Sequence, residues 1–150
     1  MKAFVCASLL ALSCALPPVA AAQEGASPVG LWKNIDDITG KPKALIRITD
    51  NKGELRGVID KLYLAPGEDP NPRCTLCQGA NKDQPVIGMV FMSGLRKVGG
   101  DYTGGEIIDP DNGKVYRSKM TVVDGGKRLN VRGYIGMPLF GRSQIWVRQE

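Results

Sequence analysis

From Gly30 to the end of the chain, short runs in which apolar and polar residues alternate recur, and no stretch shows sustained helical periodicity. The alternation predicts eight strands, at Gly30–Asn34, Lys43–Thr49, Glu54–Leu64, Pro85–Ser93, Tyr102–Asp109, Lys114–Asp124, Lys127–Ile135 and Arg142–Gln149. Turn-forming sequences separate them: Thr39-Gly40, Asp50-Asn51-Lys52-Gly53, Gly99-Gly100-Asp101, Asp109-Pro110-Asp111-Asn112-Gly113 and Gly125-Gly126. Short strands joined mostly by tight turns read as all-β. The expected arrangement is an eight-stranded antiparallel up-and-down sheet that removes its free edges by closing into a β-barrel.

One hairpin fixes its own register. With Gly125-Gly126 as a two-residue turn, Asp124 pairs with Lys127, so Val122 faces Leu129, Met120 faces Val131, Ser118 faces Gly133 and Tyr116 faces Ile135 on one side. The other side carries Val123, Arg128, Thr121, Asn130, Lys119, Arg132, Arg117 and Tyr134. A slip by one residue would turn the apolar set to water, so this register is strongly specified. Pairing Asp109 with Lys114 brings Ile107 beside Tyr116 on the inner side and sets Glu106 against Arg117 outside. Lys119, Arg117 and Arg132 are then read as solvated residues rather than anion ligands.

The N-terminus differs in kind. Lys2 precedes an apolar run from Ala3 to Leu16, followed by Pro17-Pro18 and Ala20-Ala21-Ala22, the pattern of a secretory signal peptide cut near Ala22. The Pro pair makes the run too short for a membrane span, and no transmembrane segment is expected in the mature protein. Cys14 keeps a lipid-modified N-terminus as a minor alternative. Removal of residues 1–22 leaves one domain at 23–150, expected in the periplasm or outside a Gram-negative cell. The net charge of +5 loses one unit with Lys2, and the remaining basic excess is too evenly spread to imply nucleic-acid binding. Cys6 and Cys14 leave with the leader, so Cys74 and Cys77 are the only thiols of the exported chain.

Histidine is absent, which removes Ser-His-Asp and Cys-His nucleophile pairs and the usual imidazole ligands of catalytic zinc. Ser27, Ser93, Ser118 and Ser143 stand in no nucleophile motif. The acids Asp36-Asp37, Glu68-Asp69, Asp109, Asp111 and Asp124 sit mostly beside Gly, Pro or Asn and read as turn formers rather than paired catalytic carboxylates. Asp109–Gly113 lacks the distal glutamate of a calcium loop. No catalytic residue, metal site or cofactor is expected. Cys74-Thr75-Leu76-Cys77 lacks a following amphipathic helix, which disfavours thioredoxin-like chemistry, and one chain offers no further Cys or His for zinc unless two chains share a site. A disulfide clipping a long loop is the preferred reading. The segment Gly133–Gly141 is unusually apolar for a connection, and either plugs a barrel end or forms a greasy rim for a ligand or partner.

Gly30-Leu31-Trp32 and the terminal-strand Arg148 are similar to the Gly-x-Trp start and distal Arg of lipocalin-like barrels. That likeness implies that Gly30, Trp32 and Arg148 close one end, with the cation over the indole face. The segments GLWKNIDDITGKPKALIRI, DPNPRCTLCQGANKDQPVIGM, GGEIIDPDNGKVYRSKM and DGGKRLNVRGYIGMPLFGRSQIW together resemble the exported bacterial family called domain of unknown function 2147. The resemblance implies a lipocalin-like (calycin-like) barrel and no established activity. The leading expectation is a non-catalytic binding protein holding a small hydrophobic ligand. Ile107, Tyr116, Met120, Val122, Leu129 and Val131 are the inward candidates, with Met137 and Phe140 at the mouth. The competing expectation for the inward set is plain core packing. The alternative role is a protein-interaction module using the 133–141 and Cys74–Cys77 loops, with no particular protein partner implied; a Cys-x-x-Cys oxidoreductase ranks below both.

Overall fold

The computed structural model describes residues 26–150, so the expected signal segment and Cys6 and Cys14 lie outside it. Eight strands follow in order: β1 (Gly30–Ile35), β2 (Pro42–Asn51), β3 (Glu54–Leu62), β4 (Val90–Val98), β5 (Asp101–Ile108), β6 (Val115–Val123), β7 (Arg128–Tyr134) and β8 (Arg142–Arg148). Each pairs antiparallel with the next, and β8 returns to β1 to complete a closed barrel. No sheet edge is left to recruit another chain.

The register set by the glycine turn is present in full along the ladder: Met120 opposes Val131, Val122 opposes Leu129, and Ser118 opposes Gly133. Ile107 opposes Tyr116, and Glu106 opposes Arg117. The expected Tyr116–Ile135 pair does not form, because the ladder ends at Arg117–Tyr134 and Ile135 turns out to solvent. Inward residues at one end pack solidly: Trp32, Ile48, Leu55, Met92, Leu95, Met120 and Leu129 are essentially inaccessible.

Strand β4 begins five residues later than its alternation indicates. Val86 and Met89 are buried, but by a loop rather than a strand: Val86 N donates to Pro72 O at 2.9 Å, and Met89 N closes a turn on Val86 O at 3.2 Å. Ser93-Gly94, which looks like a strand end, lies inside β4. Gly94 (φ +80°) stands one step from the Ser93–Glu106 pair, opposite Gly105, where an added Cβ would lie 2.5 Å from Ser93 O. Glycine here permits close approach of two strands rather than a turn.

Alternating topology sends the β2–β3, β4–β5 and β6–β7 turns to one end together with residues 26–29. The β1–β2, β3–β4, β5–β6 and β7–β8 connections gather at the other, where the 27-residue segment 63–89 is the longest.

Candidate ligand cavity at the open end

The tight-turn end is sealed. Trp32 donates its indole Nε1–H to Pro28 O at 2.8 Å, and the Arg148 guanidinium lies 4.1 Å from the centre of the Trp32 ring. Arg148 also donates to Gly126 O (2.5 Å), Ser27 O (2.5 Å) and Val29 O (3.0 Å), tying the chain start and the β6–β7 turn to the last strand. Burial lowers its pKa from the ordinary arginine value. A Cβ on Gly30 would meet Arg148 Nη1 at 2.7 Å, which is why this position takes glycine.

At the other end the barrel holds a cavity of about 640 Å³. Its depth is apolar, with Ala44, Ile46, Ile59, Phe91, Ile107, Val131 and Trp146 on the walls. Segment 63–89 crosses this end and supplies Pro72, Arg73 and Val86 to the wall. Cys74 and Cys77 are joined as a disulfide within it, both buried, and their loop rests on the β5–β6 turn. Gly113 (φ +70°) is required at that contact, since a Cβ there would lie 2.0 Å from Leu76 O. The Cys pair therefore shapes a cover for the cavity, and its buried sulfurs are shielded from an attacking thiolate.

A chain of polar side chains descends one wall at the β8–β1 seam. Arg142 donates twice to Asp37, at 2.5 Å each, and Gln144 Nε2 donates to the same carboxylate at 3.2 Å. Because the carboxylate only accepts, Gln144 must turn its amide oxygen inward, where it accepts from Asn34 Nδ2 at 2.8 Å. The Arg142 hydrogen bond holds the Asp37 pKa below its ordinary value, with Gln144 adding to the effect. At the rim, Lys43 is bonded to Asp111 at 2.5 Å; burial opposes its charge, yet Asp111, Asp109 and Asp36 raise its pKa. Tyr116 Oη accepts from Asn112 Nδ2 at 3.1 Å.

The inward candidates divide by height. Ile107, Tyr116 and Val131 line the cavity. Met120 and Leu129 lie wholly buried in the sealed half, and Val122 lines a smaller hollow beside Gly125 and Gly126 at that end. Met137 and Phe140 stand in water, at 62% and 77% exposure, with Leu139 and Ile135 beside them. The 133–141 segment is thus a displayed loop and not a plug. Arg132 braces it from β7, donating to Pro138 O (2.6 Å), Leu139 O (3.1 Å) and Ser143 Oγ (2.8 Å). Asn34, Gln144 and Trp146 escaped the sequence reading although alternation carried the signal: Asn34 shares the inward face of Trp32, and Gln144 that of Trp146.

Among the described residues, no helix is long and apolar enough to cross a membrane. Likewise, no group of three or more His, Cys, Asp or Glu residues could hold a metal.

Residues 30–148 match the model of a family described as "Uncharacterized protein conserved in bacteria (DUF2147)". Among solved structures, protein HP1028 from the human pathogen Helicobacter pylori, described as belonging to the lipocalin family, is similar with a TM-score of 0.71. The identity is 20%, and the match covers 83% of this chain and 84% of that one, a likeness of fold. No curated protein matches the sequence.

Proposed function

The chain belongs to the DUF2147 family of bacterial proteins and folds as a lipocalin-like barrel, and from that premise we propose that it is an exported, non-catalytic carrier of a small, largely apolar molecule. The observation that carries this reading is the apolar cavity of about 640 Å³ in one half of a closed barrel whose other half is solid. A barrel of this strand number can be filled by side chains throughout, so space kept open at one end is space for an occupant. Export rests on the leader: residues 1–22 are removed and the mature domain works in the periplasm or beyond the cell.

Native mass spectrometry of protein recovered from the periplasm tests the role. A mass increment of small-molecule size is expected, and it should vanish in Val131→Trp, which fills the cavity from its wall. A mature mass without any adduct across growth conditions, with no uptake from an offered lipid extract, would refute it.

A second reading has its own support in the braced loop that displays Ile135, Met137, Leu139 and Phe140. Exposed apolar patches on a fixed backbone mark contact surfaces, here for a protein partner. Phe140→Asp should then abolish co-purification of that partner while leaving the thermal transition in place; co-purification unaffected by the change removes this reading.

A further inference from the structure

Two tryptophans are buried in this barrel, and only one has its N–H satisfied. Trp32 Nε1 donates to Pro28 O, whereas Trp146 Nε1 is closed from water and has no partner among the described residues. A buried indole N–H ordinarily finds an acceptor, and leaving one unmade costs more than an ordinary hydrogen bond gains. Trp146 forms part of the cavity wall, and its cross-strand neighbour in the closing β1–β8 ladder is Asn34.

Asn34 is 5% exposed and also lines the cavity. The polarity imposed by Asp37 commits its Nδ2 to Gln144, and no donor is bonded to its Oδ1 among the described residues. One wall of an apolar cavity therefore carries an unpartnered donor and an unpartnered acceptor on adjacent strands. The cations near the mouth are already engaged: Arg142 with Asp37, Lys43 with Asp111 and Arg73 with Asp83 O. No counter-charge is free for a buried carboxylate, and burying an unpaired charge is prohibitive.

Resting on the carrier reading above, we propose that the occupant is an apolar molecule bearing one uncharged group that both accepts and donates a hydrogen bond, a hydroxyl or a carboxamide, seated against Trp146 Nε1 and Asn34 Oδ1. The seam selects for that group, and the Ile46, Ile59 and Ile107 walls take the hydrocarbon.

The test is equilibrium partition of a matched set, dodecane, dodecan-1-ol and dodecanoate, into the mature protein at pH 7.5, read by gas chromatography. Dodecan-1-ol is expected to bind about 3- to 10-fold tighter than dodecane, the range one or two net hydrogen bonds supply. Dodecanoate should bind the weakest relative to its hydrocarbon length. Trp146→Phe, which keeps a ring in the wall, should bring the alcohol to within about twofold of the alkane, and Asn34→Leu should do the same with alkane binding retained. Equal binding of alcohol and alkane by the parent protein, or a preference that survives in both variants, overturns the proposal while the carrier reading stands. Tightest binding of dodecanoate overturns the uncharged group. Failure of all three to bind sinks the carrier reading and this inference with it.

Discussion

The two ends of the barrel use similar residues to opposite effect. At one, Trp32 and Arg148 meet face to face, with the indole N–H and most of the guanidinium donors bonded to backbone carbonyls. At the other, Trp146 and Arg142, drawn from the same strand as Arg148, are separated by a cavity wall, and the indole N–H is unpartnered. The sealed end spends its polar groups on itself, so it gains stability and offers nothing to a ligand. The open end leaves hydrogen-bonding capacity and volume unused by the fold. Stability and recognition are thus divided along the barrel axis.

The largest test of that division is truncation of the two indoles. Trp32→Ala should cost about 3–5 kcal/mol in denaturant unfolding, since a fully packed ring, its hydrogen bond and its cation contact go together. Trp146→Ala should cost at least about 1 kcal/mol less, having no hydrogen bond to lose and a cavity already beside it. Equal costs would break the comparison.

The arginines of β8 give the next contrast. Arg148→Ala should destabilise by about 2–3 kcal/mol because three buried or half-buried carbonyls lose their donor. Arg142→Ala removes an exposed ion pair and should cost less than about 1 kcal/mol. Smaller again is the Cys loop. Cys74→Ala/Cys77→Ala opens a closure with a sequence separation of only 3, so the loss should not exceed about 2 kcal/mol. Its clearer signature should be faster proteolysis within segment 63–89, with the sealed end unchanged by hydrogen exchange.

The smallest effect is on acid stability. The Asp37 pKa is lowered in the folded state, so its contribution is present above the unfolded carboxylate value, about pH 4, and is lost as pH falls through the depressed folded value. Asp37→Asn should therefore flatten the acid limb of a Tm–pH curve slightly without moving its neutral plateau. A shift of the plateau instead would mean that the pair carries more than surface electrostatics.

What could be read in advance follows the same division. The β5–β6–β7 register was legible because a Gly-Gly turn pins it and the apolar face enforces it, each independently. Closure at Trp32 and Arg148 was legible through the family resemblance, since the motif residues are local to each terminus. The start of β4 was not, because Val86 and Met89 imitate a strand's alternation while serving a loop that covers the cavity. Alternation reports the face a residue takes and is silent about its height, so Val131 at the cavity and Leu129 in the solid half looked alike. The partnering of Trp146 depends on Asn34, 112 positions away by their numbers, and only closure of the barrel brings them side by side.

That closing ladder has a consequence in time. Seven of the eight strand pairings join neighbours in the chain, and each can form as a hairpin or across one connection; the β1–β8 ladder has only three residue pairs and joins the two termini of the domain. Loop-closure entropy makes such a contact slow and late. The seam that carries Asn34 and Trp146 is then the last part of the barrel to assemble, so a partly folded chain in transit cannot take up cargo, and capture reports that folding is complete.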